Sequence, residues 1–356
     1  MKIHTLVSEI RDPLERGREI GERFAEQIRH TTGLYLDFFP QVGVSLGDAE
    51  RIGDNSLAAL QAWSPGLAAE VIGMAKGAAV PLWQLASLNA RTEVLAARTR
   101  HSECSTTVFA PPGAQAPRTL QTWDWHDCLC PHGLMLDLHT ARGMQVKLFC
   151  EFGMLAKLGV NSAGLGLHFN ILHHASDHDG GGVPVHAIAR RVLEEASSVD
   201  EAIELVRSAR VSASTVLTVF SREDRSPRAV SIEMSPQRTA LVLPREDGWL
   251  LHTNHFLDPQ LSLGEQVADR ADTHCRLDHL QQVIAGMDNP DLRARAEAMC
   301  GAAGDSAPIC FHPDLSLPGT ERWETLLSVG IDTQRCLLEY VAGTPLHLAK
   351  AGFERF

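Results

Sequence analysis

Between about residue 8 and residue 100, apolar and small residues recur at steps of three and four, as in Leu14, Gly17, Ile20, Gly21, Phe24 and Ile28. That spacing lines them along one face of an α-helix. Leu67, Val71, Met74 and Ala78 repeat it after Ser64-Pro65, where the serine can cap and the proline fits a first helical turn. The first third of the chain therefore reads as all-helical. From Cys104 the pattern changes to short apolar runs at 104–109, 119–125, 144–152 and 156–160, bounded by Pro, Gly or Asn, as strands are. Further strands are expected at 214–220, 229–234, 239–243 and 249–253, after a helical block at roughly 184–209. The tail predicts helices over 272–284 and 291–300 and a hairpin from 325–331 and 336–341. Strands and helices gathered in blocks point to a layered α+β fold rather than to alternating βαβ units. The Pro- and Ala-rich stretch 110–117 reads as a loop between strands, and no internal repeat divides the chain.

Composition narrows the partners. The chain has 356 residues, 44% hydrophobic and 21% charged, enough apolar content for one large core or two modest ones. A net charge of -12 without any Lys/Arg block argues against nucleic acid and against anionic membrane surfaces, which leaves small molecules or protein. The first residues lack an apolar signal core and no apolar run reaches transmembrane length, so a cytoplasmic location is the default expectation. Eight cysteines are scattered without paired zinc spacing, and most are expected to be reduced and buried.

The sharpest local feature is His101-Ser102-Glu103-Cys104-Ser105-Thr106-Thr107, a cysteine placed where a helical region ends and a strand opens. A lone cysteine is by default a small buried hydrophobe. Its companions change the reading: Thr122-Trp123-Asp124-Trp125, then Gly159-Val160-Asn161-Ser162-Ala163-Gly164-Leu165, then Thr253-Asn254-His255-Phe256, then Ile309-Cys310-Phe311-His312. In this order the segments resemble the acyl-coenzyme A:6-aminopenicillanate (isopenicillin N) acyltransferase family, cysteine peptidase family C45, whose members also include carcinine and β-alanyl-amine hydrolases. The resemblance runs from about residue 10 to about residue 345.

The resemblance implies a four-layer αββα N-terminal-nucleophile (Ntn) hydrolase sandwich, made as a precursor that cuts itself immediately before the cysteine. On this sequence, residues 1–103 would become a mostly helical small subunit and residues 104–356 the sheet-bearing large one, the two remaining associated. Cys104 is then the nucleophile, Glu103 and Cys104 flank the cleavage site, Asn254 matches the oxyanion-hole asparagine, and Asp124 is a positioning carboxylate. Substrate contacts are expected from Ser105, Thr106, Trp123, Trp125, Asn161, His255 and Phe311, with the 159–165 hairpin lining the cleft. The implied substrate is a small N-acylated amine or amino acid, or a thioester, and neither cofactor nor metal is called for. The chemistry is self-consistent. Attack of the Cys104 thiol on the Glu103 carbonyl is an N-to-S acyl shift, and hydrolysis leaves an α-amino group beside its own thiol. With an unperturbed pKa of about 7.7–8.0 that amine can act as the base for its own side chain. No phosphate-cradling glycine loop for coenzyme A is evident, which favours hydrolysis over transfer.

Two departures bear on this reading. Glu103 stands where glycine is common before the nucleophile, which makes a strained precursor turn harder to adopt and predicts slow processing. Phe311 stands where many relatives carry an arginine, removing a cation for a substrate carboxylate and leaving an apolar or aromatic corner. The histidine- and glycine-rich run 173–182 reads as an exposed flap over the cleft. The alternative to an enzyme is an unprocessed, non-catalytic binding protein holding a metal between His173 and Asp179. Arg190, Arg191, Glu194 and Glu195 read as a solvated, ion-paired helix face.

Overall fold

The computed structural model describes residues 1–96, 103–223, 226–267 and 270–356, and His101 and Ser102 lie outside them. β1 (Lys2–Ser8) is followed by α1 (Pro13–Arg23), α2 (Ala25–Gln41), α3 (Leu46–Trp63), α4 (Pro65–Ala78), α5 (Leu82–Asn89) and α6 (Arg91–Ala96). Then come β2 (Glu103–Phe109), β3 (Arg118–Trp125), β4 (His132–His139), β5 (Gln145–Glu151), β6 (Leu158–Asn161) and β7 (Leu165–Ile171). α7 (Val185–Glu195) and α8 (Val199–Arg207) precede β8 (Thr215–Ser221), β9 (Arg228–Met234), β10 (Thr239–Val242) and β11 (Trp249–His252). The chain closes with α9 (Arg270–Val283), α10 (Leu292–Cys300), β12 (Glu324–Asp332), β13 (Leu337–Val341), α11 (Pro345–Ala351) and β14 (Glu354–Arg355).

The strands form two sheets, one ordered β1-β4-β5-β6-β7-β8-β9-β10 and the other β11-β2-β3-β12-β13-β14. Their facing sides meet in the main core, where Val108, Trp123, Leu327 and Val329 pack with Leu148, Phe149, Val160 and Leu167. α7 and α8 cover the outer face of the first sheet. α9 and α10 cover the second, through Leu120, Trp249 and Leu251 against Leu277, Leu280, Ala296 and Met299. The result is a four-layer αββα sandwich with a helical N-terminal region beside it.

Three expectations needed correction. The first third is not all-helical, because Lys2–Ser8 is a strand paired in parallel with β4. Its partner is far along the chain, and an edge strand of mixed polarity shows no strong local alternation. β4 itself had no strand signal, since its interior positions are buried on both faces and a strand buried on both faces does not alternate. Arg190 is not solvated: it is fully buried and reaches Glu70 of α4 at 2.9 Å. Arg16 of α1 contacts the same carboxylate. Burial alone would raise Glu70, but the two guanidinium charges outweigh it and hold the carboxyl below its ordinary range.

Local chemistry explains the N-terminal helices. Asp12 caps α1 by accepting from the Glu15 N–H at 3.0 Å, with Pro13 in the first turn. α1 lies directly against α4 because both present glycines there. A Cβ on Gly17 would strike the carbonyl oxygen of Glu70, and one on Gly73 that of Leu14. The helices are tied to the sandwich by a buried cluster in which the Tyr35 hydroxyl donates to Glu151 and accepts from Trp125 Nε1 at 2.8 Å, while Arg91 reaches Glu151 at 2.6 Å. Arg16 also reaches Glu194 of α7 at 3.1 Å.

Candidate active site

Cys104 is the second residue of β2 and lies directly across the ladder from Trp123 of β3. Side chains alternate along a strand, so Cys104, Thr106, Gln121 and Trp123 face the other sheet, while Ser105, Thr122 and Asp124 face the α9–α10 layer. The Cys104 backbone is held on both sides. Its N–H donates to Asn254 Oδ1 at 2.8 Å, and its carbonyl accepts from Arg276 at 2.8 Å and from Asn170 Nδ2 at 3.2 Å. Asn254 follows β11 closely, and β11 pairs with β2. Its Nδ2 donates to the Ile171 carbonyl at 2.9 Å, and its oxygen also accepts from Arg276 at 3.0 Å. In the intact chain Asn254 thus turns its oxygen, not its amide, towards Cys104. Burial first, and then the charge of Asp124, push the Cys104 thiol up to about 11.

Asp124 is fully buried, and burial pushes its carboxyl up to about 7 against the opposing pull of Thr325, Arg276 and Thr122. It is linked to the strand of Cys104 through Thr122, whose hydroxyl donates to Asp124 Oδ2 at 3.0 Å and accepts from the Ser105 N–H at 3.2 Å. Thr106 donates to Asn170 Oδ1 at 2.7 Å and accepts from Gln121 Nε2 at 2.7 Å, so it braces the strand from the inner side. The structure therefore brings Cys104, Ser105, Thr106, Asp124 and Asn254 into one constellation. The side chain of Glu103 lies outside the described residues.

Other expected substrate contacts are placed differently. Trp123 is core, packed against Phe149. Trp125 is bonded to Tyr35 and covered by the Arg91 guanidinium 4.3 Å from its ring, so it faces the N-terminal helices rather than a cleft. Asn161 does shape the hairpin between β6 and β7, but its side chain is engaged there and with the end of α7: Oδ1 accepts from the Ala163 and Leu165 N–H groups, and Nδ2 donates to the Leu193 and Ala196 carbonyls. His255 is buried, with Nδ1 3.0 Å from the Thr273 hydroxyl and its ring 4.0 Å from that of His274. Phe311 is half-buried and lines a cavity of about 390 Å³ with His312, Thr325 and Lys350. Thr325 links that cavity to Asp124.

The run 173–182 is not a free flap, because Arg51 and Asn55 of α3 bond to the carbonyls of Asp179 and Gly180 at 2.9 and 3.1 Å. Asp177 accepts from the His174 N–H within the run and from the Ser214 hydroxyl outside it. Among the described residues no group of three or more His, Cys, Asp or Glu is placed to hold a metal ion. All eight cysteines are free thiols.

Three residues at this site were not foreseen. Arg276 on α9 pairs with Asp272 one turn earlier, the ordinary spacing of a surface ion pair, and only the fold carries it to Cys104. Asn170 sits in an apolar strand run. Lys157 carried one signal, a lone charge inside an apolar run.

The family model described as acyl-coenzyme A:6-aminopenicillanic acid acyl-transferase matches residues 115–345. Cys104 lies upstream of that span. A curated relative, the acyl-coenzyme A:6-aminopenicillanic-acid-acyltransferase 40 kDa form of Emericella nidulans, is 28% identical over 225 residues, which is 62% of this chain. The chain spans 60% of the length of that relative. Among solved structures, a penicillin V acylase from Agrobacterium tumefaciens is similar with a TM-score of 0.41 and 13% identity, over 67% of this chain and 83% of that one. A Caenorhabditis elegans ortholog of N-acylethanolamine-hydrolyzing acid amidase is similar with a TM-score of 0.42 and 13% identity, over 64% and 92%. No helix among the described residues is long and apolar enough to cross a membrane. With the family model covering well over half of its length, the chain belongs to the acyl-coenzyme A:6-aminopenicillanic acid acyl-transferase family of enzymes.

Proposed function

We propose that this chain is a self-processing amidohydrolase in which Cys104, released as an N-terminal residue by cleavage after Glu103, attacks the acyl group of a small N-acylated amine or amino acid. One observation carries the reading: the Cys104 nitrogen lies 2.8 Å from Asn254 Oδ1. That nitrogen is the leaving group of self-cleavage and becomes the α-amine afterwards, and the same acceptor orients it in both states. The Arg276 and Asn170 bonds to the Cys104 carbonyl keep nitrogen and thiol in fixed relation. The free amine then takes the thiol proton as the acyl-enzyme forms. Asn254 Nδ2 uses one N–H on Ile171, and its second N–H serves the oxyanion. Asp124 acts through Thr122 on the backbone beside the nucleophile.

After the cut, residues 1–103 stay bound because β1 is a strand of the first sheet and Tyr35 and Arg91 are buried against Glu151. Phe311 gives the adjoining cavity an aromatic wall for an apolar part of the acyl or amine group, beside the polar His312 and Lys350. Water resolves the thioester.

Intact mass spectrometry of wild type beside Cys104→Ala tests the proposal without a substrate. The wild type should separate into residues 1–103 and 104–356 while the variant stays whole. A wild type that stays whole after prolonged incubation refutes self-processing.

A further inference from the structure

Self-cleavage has a gap that the mature mechanism does not fill, because Cys104 has no α-amine until the cut is made. A base for its thiol must come from elsewhere. We propose that Lys157, stacked on the cross-strand partner of Cys104, accepts the thiol proton and delivers it to the leaving nitrogen during self-cleavage; the proposal rests on the self-processing reading.

Lys157 precedes β6, and its side chain is 3% exposed. Its Nζ lies 4.3 Å from the centre of the Trp123 ring and 5.4 Å from that of Phe169. Trp123 is the residue directly opposite Cys104, so the ammonium sits in the inter-sheet layer that also receives the thiol. The groups around Lys157 are Glu151, Arg91, Cys104, Cys130 and His186. Glu151 is 3.9 Å away, beyond hydrogen-bond reach, and is already held by Arg91 and Tyr35. The ammonium is therefore desolvated, with its nearby carboxylate at 3.9 Å and already shared with Arg91 and Tyr35, a setting that favours the neutral lysine that acts as a base. Burial first, and then the Arg91 charge, lower it to about 8 against the opposing pull of Glu151 and the two thiols. Its neutral form is accessible near neutral pH.

The step balances. Neutral Nζ takes the Sγ proton, the thiolate bonds to the Glu103 carbonyl carbon, and the C–N bond breaks as Nζ returns the proton to the Cys104 nitrogen. Water then hydrolyses the thioester, its oxygen bonding to the acyl carbon as the C–S bond breaks, one of its protons restoring the thiol and the other passing to solvent as Glu103 is left as a C-terminal carboxylate. Lys157 ends neutral, as it began.

The test uses full-length chains pulse-labelled in cell-free translation and chased in buffers from about pH 6 to about pH 9, a range that brackets the lysine. Wild type, Lys157→Met, Lys157→Arg and Cys104→Ala are compared by the rate of conversion to the two fragments. Lys157→Met should slow conversion by about 10²–10⁴-fold. Lys157→Arg should be as slow, because a guanidinium keeps the charge but cannot accept a proton. That separates proton transfer from electrostatic support. The wild-type rate should rise with pH and level off near pH 8, a readout that needs no variant and survives any folding defect. Variants that convert within threefold of wild type, or a wild-type profile still rising steeply at the alkaline end as a bare thiol requires, overturn the role of Lys157 and leave self-processing intact. An uncleaved wild type overturns both.

Discussion

Replacing Asn254 by aspartate isolates one hydrogen-bond donor at the proposed site. The side chain is fully buried, accepts from the Cys104 N–H at 2.8 Å and Arg276 at 3.0 Å, and donates to the Ile171 carbonyl at 2.9 Å. Aspartate has the same shape and keeps both acceptor contacts, with its charge set against the Arg276 guanidinium. What it loses is Nδ2, hence the bond to Ile171 and the oxyanion donor. The first loss sets a carboxylate oxygen against the buried Ile171 carbonyl and costs about 1–3 kcal/mol of stability. The second removes about 2.7–4 kcal/mol of transition-state stabilisation, a slowing of about 10²–10³-fold. Because the Cys104 nitrogen stays held, the effect should fall on rate rather than on fold. The assay is the half-life of the uncut chain by intact mass, followed by turnover of a panel of N-acyl amides by whatever fraction is processed. Thermal melting confirms that the fold is retained. Self-cleavage and turnover within threefold of wild type would refute Asn254 as an oxyanion donor.

Other perturbations test the scaffold. Glu93 is buried, accepts from the Val185 N–H at 2.8 Å, and is pushed by burial up to about 7. Between its ordinary value of 4.5 and about 7 the unfolded chain binds fewer protons at this residue, so this group's contribution lowers stability as pH rises through that window. Glu93→Gln should flatten the fall, and its gain over wild type in urea midpoint should grow from acidic to slightly alkaline pH; an unchanged gain refutes the shift. Glu151→Ala removes the anion that buried Arg91 contacts and should cost about 3–5 kcal/mol. Tyr35→Phe, which removes only the hydroxyl between Glu151 and Trp125, should cost about 1–3 kcal/mol, and urea unfolding that reverses this order contradicts the network. Gly17→Ala forces α1 away from the Glu70 carbonyl and should cost about 1–3 kcal/mol, whereas Gly33→Ala, into open space in α2, should stabilise by about 0.5–1 kcal/mol. Equal melting shifts for the two would rule out the close helix contact.

Much of the architecture was legible because the signals are local. The steps of three and four at Leu14, Gly17, Ile20 and Gly21 are a property of one helix, and the same glycines turned out to admit α4. The strand runs 104–109 and 119–125 begin within a residue of β2 and β3 for the same reason. The motif order from Cys104 to His312 was enough to suggest the family that the comparison of residues 115–345 supports. Trp125 shows the limit: its position beside Asp124 was visible, but the direction it faces depends on Tyr35 and Arg91, brought in by helices that precede it.

By itself, then, the sequence determined most of the helices and strands, β1 and β4 excepted, that they layer as α+β, and which residue types gather around a candidate nucleophile, because side-chain period and motif order are written within a few residues. The tertiary structure alone decided the register that sets Trp123 against Cys104, the arrival of Arg276 and Asn170 at its carbonyl, the burial of Arg190 and the closeness of Lys157. Each of those is a contact between segments far apart in the chain, and such contacts are selected by the summed burial of the two sheet faces rather than by any preference of the residues that make them.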